Sequence, residues 1–291
     1  MSSSLVWLVT GSSQGLGRRV VRSALARGDK VIATLRALDK APDLIEEAQN
    51  NPDTLRVLQL DVTSGGHKIK AVVKEAVQCW GRIDVLINNA GYGFPCIAEE
   101  GGTEWLRLQF ETNFFGLAEV THAVLPHMRQ RREGTIVNMG SRSAWRTELP
   151  FAAPYAASKA AVRAYTETLS VEVAQFNIRV LLVEPGGFLT EGAYTYPQLQ
   201  ANLIPDYDSL RAAASSGFHS IRSKIQGDPD KAMDVLVDVV RGEGQAAGRP
   251  WPGLLVLGED GEADIRKKIA KVTTVLDAWS DVANSVSIDR G

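Results

Sequence analysis

The sequence predicts an α/β protein built as one doubly wound domain, a parallel seven-stranded sheet with helices on both faces. Three observations carry this expectation. Short apolar runs of strand length recur along the chain and are apolar on both faces, as strands covered from both sides must be. Segments with helical patterning and polar faces separate them. No internal repeat, low-complexity linker or shift in composition divides the 291 residues, so a single domain over 1–291 is expected.

The first run, "LVWLVT" at 5–10, leads straight into "TGSSQGLG", whose glycines at 11, 15 and 17 open a helix. Glycine there permits a tight turn and lets backbone amides approach a pyrophosphate seated on the helix N-terminus. The spacing is not G-x-G-x-x-G, so the loop points to a dinucleotide mainly through its place directly after the first strand. The second run, "KVIATL" at 30–35, is followed by Arg36 and not by the acid that would hold the ribose 2′-hydroxyl of NAD(H). A guanidinium beside that strand end suits a 2′-phosphate, which it grips as a planar fork, so NADP(H) is preferred over NAD(H). Asp39 lies past the strand end and is a poor substitute for the missing acid.

The third run, "LRVLQLDV" at 55–62, ends on Asp61 and Val62. Asp61 could accept from an adenine amino group with Val62 beside the ring, or it could cap the next helix. The fourth, "IDVLINNAG" at 83–91, closes on small residues able to pass beneath a ribose. Two adjacent asparagines ending a buried strand are rarely just core. A basic stretch at 128–133 fits a helix C-terminus, and "GTIVNMGS" at 134–141 then brings Ser141 to the end of the fifth run. "IRVLLVEPGG" at 178–187 and "GLLVLG" at 253–258 complete the set. The stretch 187–230 breaks the rhythm, with no strand and with Tyr194, Tyr196, Pro197, Pro205, Tyr207, Gly217 and Phe218. That composition suits a substrate lid with short helices of its own, or an ordinary surface excursion. Residues 259–285 read as a C-terminal helical extension.

Bulk properties narrow the partner. Lys and Arg number 32 against 34 Asp and Glu, a net charge of -2, which argues against a protein that grips nucleic acid or an acidic membrane surface. Cys79 and Cys96 are too few for a disulfide framework, and no Cys/His cluster has metal-ligand spacing. The N-terminal residues lack the basic flank of a signal peptide, and no apolar span is long enough for a membrane helix. A cytoplasmic protein with a small-molecule substrate, and without a metal, is expected.

In "YAASKAAVRAYTETL" Tyr155 and Lys159 stand four residues apart on one helix face. A tyrosine ordinarily titrates near ~10, and a fixed cation within a few ångströms favours the phenolate. Such a phenol can exchange a proton with an alcohol or a ketone. Alone, the pair also fits a half-buried tyrosine beside a snorkelling lysine. The surrounding motifs decide between the two.

Those motifs are TGSSQGLG at 10–17, NNAG at 88–91, Asn113 in "ETNFFG", Ser141 in "VNMGS", Tyr155-Ala-Ala-Ser-Lys159, and Pro185-Gly-Gly-Phe-Leu-Thr190. In this order, and at these strand ends, they resemble the short-chain dehydrogenase/reductase family over roughly 5–260, with its Rossmann fold. "VIATLR" and the chain length are similar to the 17β-hydroxysteroid dehydrogenase and carbonyl reductase branch. The resemblance implies NADPH-dependent ketone reduction. Tyr155 would be the general acid/base. Lys159 would lower its pKa and bond the nicotinamide ribose. Ser141 would hold the substrate oxygen. Asn113, inside the fourth helix, would anchor a water in a proton relay. Pro185, Gly186 and Thr190 would wrap the nicotinamide. Gly11, Ser13, Gln14, Gly15, Leu16, Gly17, Asn88, Ala90 and Gly91 would line the rest of the cofactor path, with Arg36, Asp61 and Val62 at its adenosine end. Relatives also imply a homodimer or homotetramer through the helices bearing Asn113 and Tyr155, and the C-terminal segment would join an interface or cover an edge.

Two departures qualify the match. Ser141 and Tyr155 lie fourteen positions apart, one more than is usual in the family, which points to an insertion in "RSAWRTELPFAAP"; Ser143 is the weaker candidate serine. Where NADP-preferring relatives often carry a basic residue, this chain has Gln14, and Arg18 either compensates or is an exposed helix residue. Phe94, Trp145, Phe151, Tyr194, Tyr196 and Tyr207 are expected to line an apolar pocket for a bulky ketone or secondary alcohol. An NAD-dependent alcohol dehydrogenase, a non-catalytic nucleotide sensor and a nucleotide-sugar epimerase are the rival readings.

Overall fold

The computed structural model describes residues 4–191, 202–222 and 225–288. Its sheet has seven parallel strands, β1 (Val6–Thr10), β2 (Lys30–Leu35), β3 (Leu55–Gln59), β4 (Val85–Asn88), β5 (Gly134–Met139), β6 (Ile178–Pro185) and β7 (Leu254–Leu257), in the order β3-β2-β1-β4-β5-β6-β7. The helices are α1 (Gly15–Ala26), α2 (Pro42–Asn50), α3 (Gly66–Trp80), α4 (Ala98–Phe110), α5 (Leu117–Arg131), α6 (Ala153–Val173), α7 (Asp208–Arg222), α8 (Pro229–Arg241), α9 (Glu259–Ala278) and α10 (Ser280–Asn284). Each of the seven sequence runs thus contains a strand, and the doubly wound single domain is the fold observed. Strand order reverses between β1 and β4, which opens a crevice at the carboxyl ends of those strands, where sheets of this kind bind ligands.

β1 shows why these strands carry no polar alternation. Trp7 and Val9 pack in the layer of Val20 and Val21 from α1 and Met233 and Leu236 from α8. Val6 and Leu8 face the opposite layer, with Ile69 and Val73 from α3 and Val120 and Val124 from α5. Both faces are dry, so both must be apolar.

The amino ends of the strands are pinned by buried acids. Asp29 accepts from the Trp7 indole at 2.8 Å and from Leu5 N at 2.9 Å, and pairs with Arg241 at 2.5 Å. Asp84 accepts from Val6 N at 2.9 Å and pairs with Arg82 and Arg131.

Two connections matter at the carboxyl end. A π-helical segment, Glu111–Gly116, joins α4 to α5, so Asn113 sits in a widened turn between two helices and not inside one regular helix. The segment after β6 has its neck closed by a parallel bridge between Phe188 and Gly227. A side chain at Gly227 would stand 2.5 Å from Gly187 O and 2.6 Å from the Phe188 ring, so this approach requires glycine. The described part of that segment contains a 3-10 turn, Pro205–Tyr207, and then α7. It docks on the start of α4: Tyr207 Oη donates to Glu99 at 2.7 Å, Ile204 N donates to Glu100, and Arg211 pairs with the buried Glu100. Hydrogen bonding from Arg211 holds the Glu100 carboxyl below its ordinary range.

Candidate active site

The glycine loop is built for close backbone approach. Gly11 and Gly15 have φ of 70° and 66°, a region that favours glycine. A side chain on Gly17 would collide with Gly11 O and the Asn89 amide. Asn89 explains the crowding, since its Nδ2 donates to Thr10 O at 2.9 Å and to Gly11 O at 3.0 Å. Thr10 Oγ1 in turn accepts from the Asn89 and Ala90 amides, so the ends of β1 and β4 are laced together. Asn88, the neighbour, turns the other way and donates to Thr121 and Asn138, both at 2.8 Å. Its side chain therefore belongs to the core, and not to the lining of a cofactor path. Asn89 is the residue that shapes the groove.

Across the loop stands the chain leaving β6. A Cβ at Gly15 would lie 3.8 Å from Thr190. Glu191 accepts from Gly15 N at 3.0 Å and from both Arg19 terminal nitrogens at 3.0 and 3.1 Å. The Arg19 hydrogen bonds bring its carboxyl down to about 2. Pro185 ends β6 and Gly186 N bonds Leu257 O at 2.7 Å. Ser13 is half-buried, and Gln14 is the exposed N-cap residue of α1.

At the adenosine end the placements differ from expectation in two respects. Arg18 is not an exposed helix residue: it is 6% exposed, paired with Asp43 at 2.5 Å beneath α2. Asp61 is not the cap of α3, whose N-cap is Gly65. Its carboxylate closes a turn by accepting from Thr63 N at 2.9 Å and Thr63 Oγ1 at 2.8 Å. Val62 is buried under Gly116. Arg36 is exposed directly after β2, and Asp39 is exposed beside Lys40.

The chemistry-bearing residues meet where α6 crosses the end of β5. Lys159 is buried and donates to Met139 O at 2.6 Å, tying the helix to the strand end. Its nitrogen lies 5.9 Å from the centre of the Tyr155 ring. Burial pushes the ammonium down to about 8, so it remains charged at neutral pH. Ser141 begins the turn after β5 and accepts from Ser143 N at 3.1 Å, so Ser143 supports this hydroxyl through its backbone. Gly93 passes against the Tyr155 ring, where a Cβ would be 3.1 Å from Cδ2, and Gly91 passes beside Asn113 and Lys159.

Asn113 is fully engaged. Its Nδ2 donates to Tyr92 O at 2.9 Å and to Ser158 Oγ at 3.1 Å, and its Oδ1 accepts from Tyr92 N at 3.0 Å. Ser158 donates to Tyr155 O at 2.8 Å. The asparagine side chain thus ties the loop after β4 to the turn of α6 that carries Tyr155 and Lys159.

Several of the expected pocket aromatics occur around this centre. Phe94 stacks edge-on against Tyr92 and Trp105. Phe151 is buried with a φ of 71°, a strained backbone held by Cys96 N donating to its carbonyl. Trp145 donates to Glu184 at 2.6 Å and is covered by Arg163 at 3.8 Å from its ring centre, so the indole is a wall anchored in the sheet. The Tyr207 hydroxyl is held by Glu99, as described, and Tyr194 and Tyr196 lie outside the described residues.

Sequence reasoning missed the supports. Glu184 is wholly buried, its carboxyl pushed up by burial, and only its place inside an apolar strand marks it. Asp260, in the first turn of α9, accepts from Gly187 N at 2.9 Å and pairs with Arg142, next to Ser141. One acid therefore braces the loops after both β5 and β6.

A family profile described as short chain dehydrogenase matches residues 5–199. The chain is similar to Oxidoreductase BOA17 of Botryotinia fuckeliana, 34% identical over 279 residues, covering 96% of this chain and 97% of that one. Among solved structures it is similar to a short-chain dehydrogenase from Streptomyces avermitilis, with a TM-score of 0.84, 33% identity, and coverage of 98% and 100%. It is also similar to an actinorhodin polyketide ketoreductase variant with NADPH, with a TM-score of 0.73, 28% identity, and coverage of 91% and 99%. The chain belongs to the short-chain dehydrogenase/reductase family. It is an oxidoreductase that works with a nicotinamide cofactor on a small molecule. Among the described residues no helix is long and apolar enough to cross a membrane.

Proposed function

We propose that the protein is an NADP(H)-dependent ketoreductase acting between a bulky, apolar ketone and its secondary alcohol. The observation that carries the chemistry is a buried, charged Lys159 one turn from Tyr155, at the strand end that also bears Ser141. A lysine drawn into a dry site and still protonated is a strong local cation, and a phenol next to it gives up and recovers a proton more readily. Tyr155 donates that proton to the carbonyl oxygen in reduction and withdraws it in oxidation. Ser141 donates a hydrogen bond to the same oxygen as negative charge develops there. Asn113 acts as a positioning residue, holding Tyr92 and Ser158 so that the turn bearing Tyr155 and Lys159 keeps its place.

The cradle fits a dinucleotide: the left-handed Gly11 and Gly15 and the crowding at Gly11 and Gly17 leave room for backbone and not for side chains. Gly11, Ser13, Gln14, Gly15, Leu16, Gly17, Ala90, Gly91, Asp61 and Val62 would hold it, with Pro185, Gly186 and Thr190 at the nicotinamide end. When bound, the nicotinamide supplies or accepts the hydride. NADP(H) is preferred because β2 ends without an acid and with the exposed Arg36 beside it. The similarity to a ketoreductase with NADPH supports the same reading. Phe94 and Phe151 favour an apolar substrate, and the free thiols of Cys79 and Cys96 suit a reducing cytosol.

The test follows loss of reduced nicotinamide absorbance, with NADPH and NADH in turn, against cyclic, aromatic and aliphatic ketones. Turnover with NADPH on the bulky apolar ketones is expected, and an Arg36→Ala variant should lose most of the preference for NADPH. Faster turnover with NADH, in the oxidative direction, would make this an NAD-dependent alcohol dehydrogenase. Tight binding of either cofactor without turnover would make it a nucleotide sensor.

A further inference from the structure

On the function proposed above, the loop after β5 carries the donor to the substrate oxygen, Ser141, and the loop after β6 wraps the nicotinamide. A hydride passes between the ligands of these two loops, so a small misplacement of one loop against the other is costly to the rate. β5 and β6 are neighbours in the sheet, and Gly140 N donates to Val183 O at 2.7 Å just before the loops begin. Past that point the turn that starts at Ser141 is held at both ends. Trp145 at its far end donates to Glu184 of β6 at 2.6 Å, and Arg142 at its near end pairs with Asp260 in the first turn of α9.

Asp260 does more than pair with a cation. Its Oδ2 accepts from Gly187 N at 2.9 Å as well as from Arg142 Nη1, so one oxygen serves both loops. The two glycines after Pro185 form its seat: a Cβ on Gly186 would stand 2.0 Å from Asp260 Oδ1, and one on Gly187 would stand 3.0 Å from Oδ2 and 3.5 Å from Arg142 Nη2. Neither glycine has a left-handed backbone, so what the missing side chains provide here is room for this acid. Stability alone does not require it at Arg142. That side chain is 13% exposed and also meets Asp264, one turn further along α9, at 3.2 Å. What Asp260 adds is the bond to Gly187.

We propose that Asp260 is a positioning residue of the active site, which joins the Ser141 turn to the Gly186–Gly187 turn through a single oxygen and so keeps the substrate oxygen in register with the nicotinamide. The inference rests on the roles given above to Ser141 and to the loop after β6. It gives the start of the C-terminal extension, which lies outside the 5–199 matched by the family profile, a part in the reaction.

Cofactor affinity tests the link without a substrate, by fluorescence titration with whichever of NADPH and NADH binds the wild type more tightly. Asp260→Ala and Arg142→Ala should each weaken binding about 5- to 10-fold, and the double variant no more than either, because both changes break one connection. Charge alone predicts the reverse for Asp260→Ala, since a dinucleotide is an anion and gains when an acid is removed. Asp264→Ala, which takes the other carboxylate from Arg142, should bind cofactor as the wild type does. Unchanged affinity in Asp260→Ala, additive losses in the double variant or an equal loss in Asp264→Ala would overturn the proposal. A brace that serves stability alone would lower the melting temperature and the fraction of molecules that bind, and leave the affinity of that fraction where it was. Turnover supplies the second readout. On a ketone that the wild type reduces, Asp260→Ala should lower kcat roughly 10-fold and should have no such effect in a Ser141→Ala background; the same loss in both backgrounds would count against the link. A wild type that reduces none of the ketones would sink the ketoreductase reading alone, and the affinities would still decide the role of Asp260.

Discussion

The two ends of the sheet are made from similar residue types and put to opposite use. At the amino end, Asp29 and Asp84 are buried and their carboxylates are met by arginine, indole and backbone donors. At the carboxyl end, some buried polar atoms are left over. Asn88 Oδ1, Glu184 Oε1 and two nitrogens of Arg18 have no hydrogen-bond partner among the described residues, and Lys159 has one carbonyl. Buried polar groups are ordinarily satisfied, and the two ends differ in how completely their side chains satisfy one another. The amino end is braced by paired charges, and the carboxyl end is where Ser141, Tyr155 and Lys159 gather.

The sharpest way to break this contrast is to remove one group from each end. Tyr155→Phe should lower turnover by ~10²–10⁴-fold and leave the melting temperature where it was; a variant with measurable loss of stability and full activity would reverse the assignment. Asp29→Ala should do the opposite, because it removes the buried carboxylate that meets Arg241, the Trp7 indole and Leu5 N together. Urea denaturation should show a loss of about 3–5 kcal/mol, with turnover per folded molecule unchanged.

Titration of Lys159 refines the comparison. Its folded value of about 8 lies below the ordinary 10.5, so between those limits the unfolded chain binds more protons than the folded one. Stability therefore rises with pH through this window, by roughly 3 kcal/mol in all, and the penalty is present in full below about pH 8. A Lys159→Met chain should lack that rise, and denaturation of both proteins at a series of alkaline pH values checks it. The smallest effect should come from Asp228, which caps α8 by accepting from the Asp230 and Lys231 amides. This group lies beside the Phe188–Gly227 bridge but is satisfied, so Asp228→Ala should cost ~1 kcal/mol, read by thermal melting, with little change in activity.

The fold was legible because strands dry on both sides advertise themselves as unbroken apolar runs. Tyr155 and Lys159 were legible because helical spacing puts them on one face and the surrounding motifs single the pair out. The asparagine pair shows where legibility stops. Alternation along β4 says that Asn88 and Asn89 point to opposite faces, but only the packing of α5 tells which face is core and which is groove. Of the two readings open for Arg18, the exposed helix residue fails for a similar reason, since α2 covers it. The braces are hidden by distance along the chain: Arg19 and Glu191 are 172 positions apart, and local pattern carries no trace of such a pair.

The bridge between Phe188 and Gly227 makes the intervening segment a cassette. Its ends meet whatever lies between them, and the entropy of closing a loop grows only slowly with its length. A segment of different length or composition can therefore be exchanged at this neck while β6 and α8 stay in register and Ser141, Tyr155 and Lys159 remain in place. The segment and the strand ends that bear these three residues can in this way vary separately, with Gly227 as the position that cannot change.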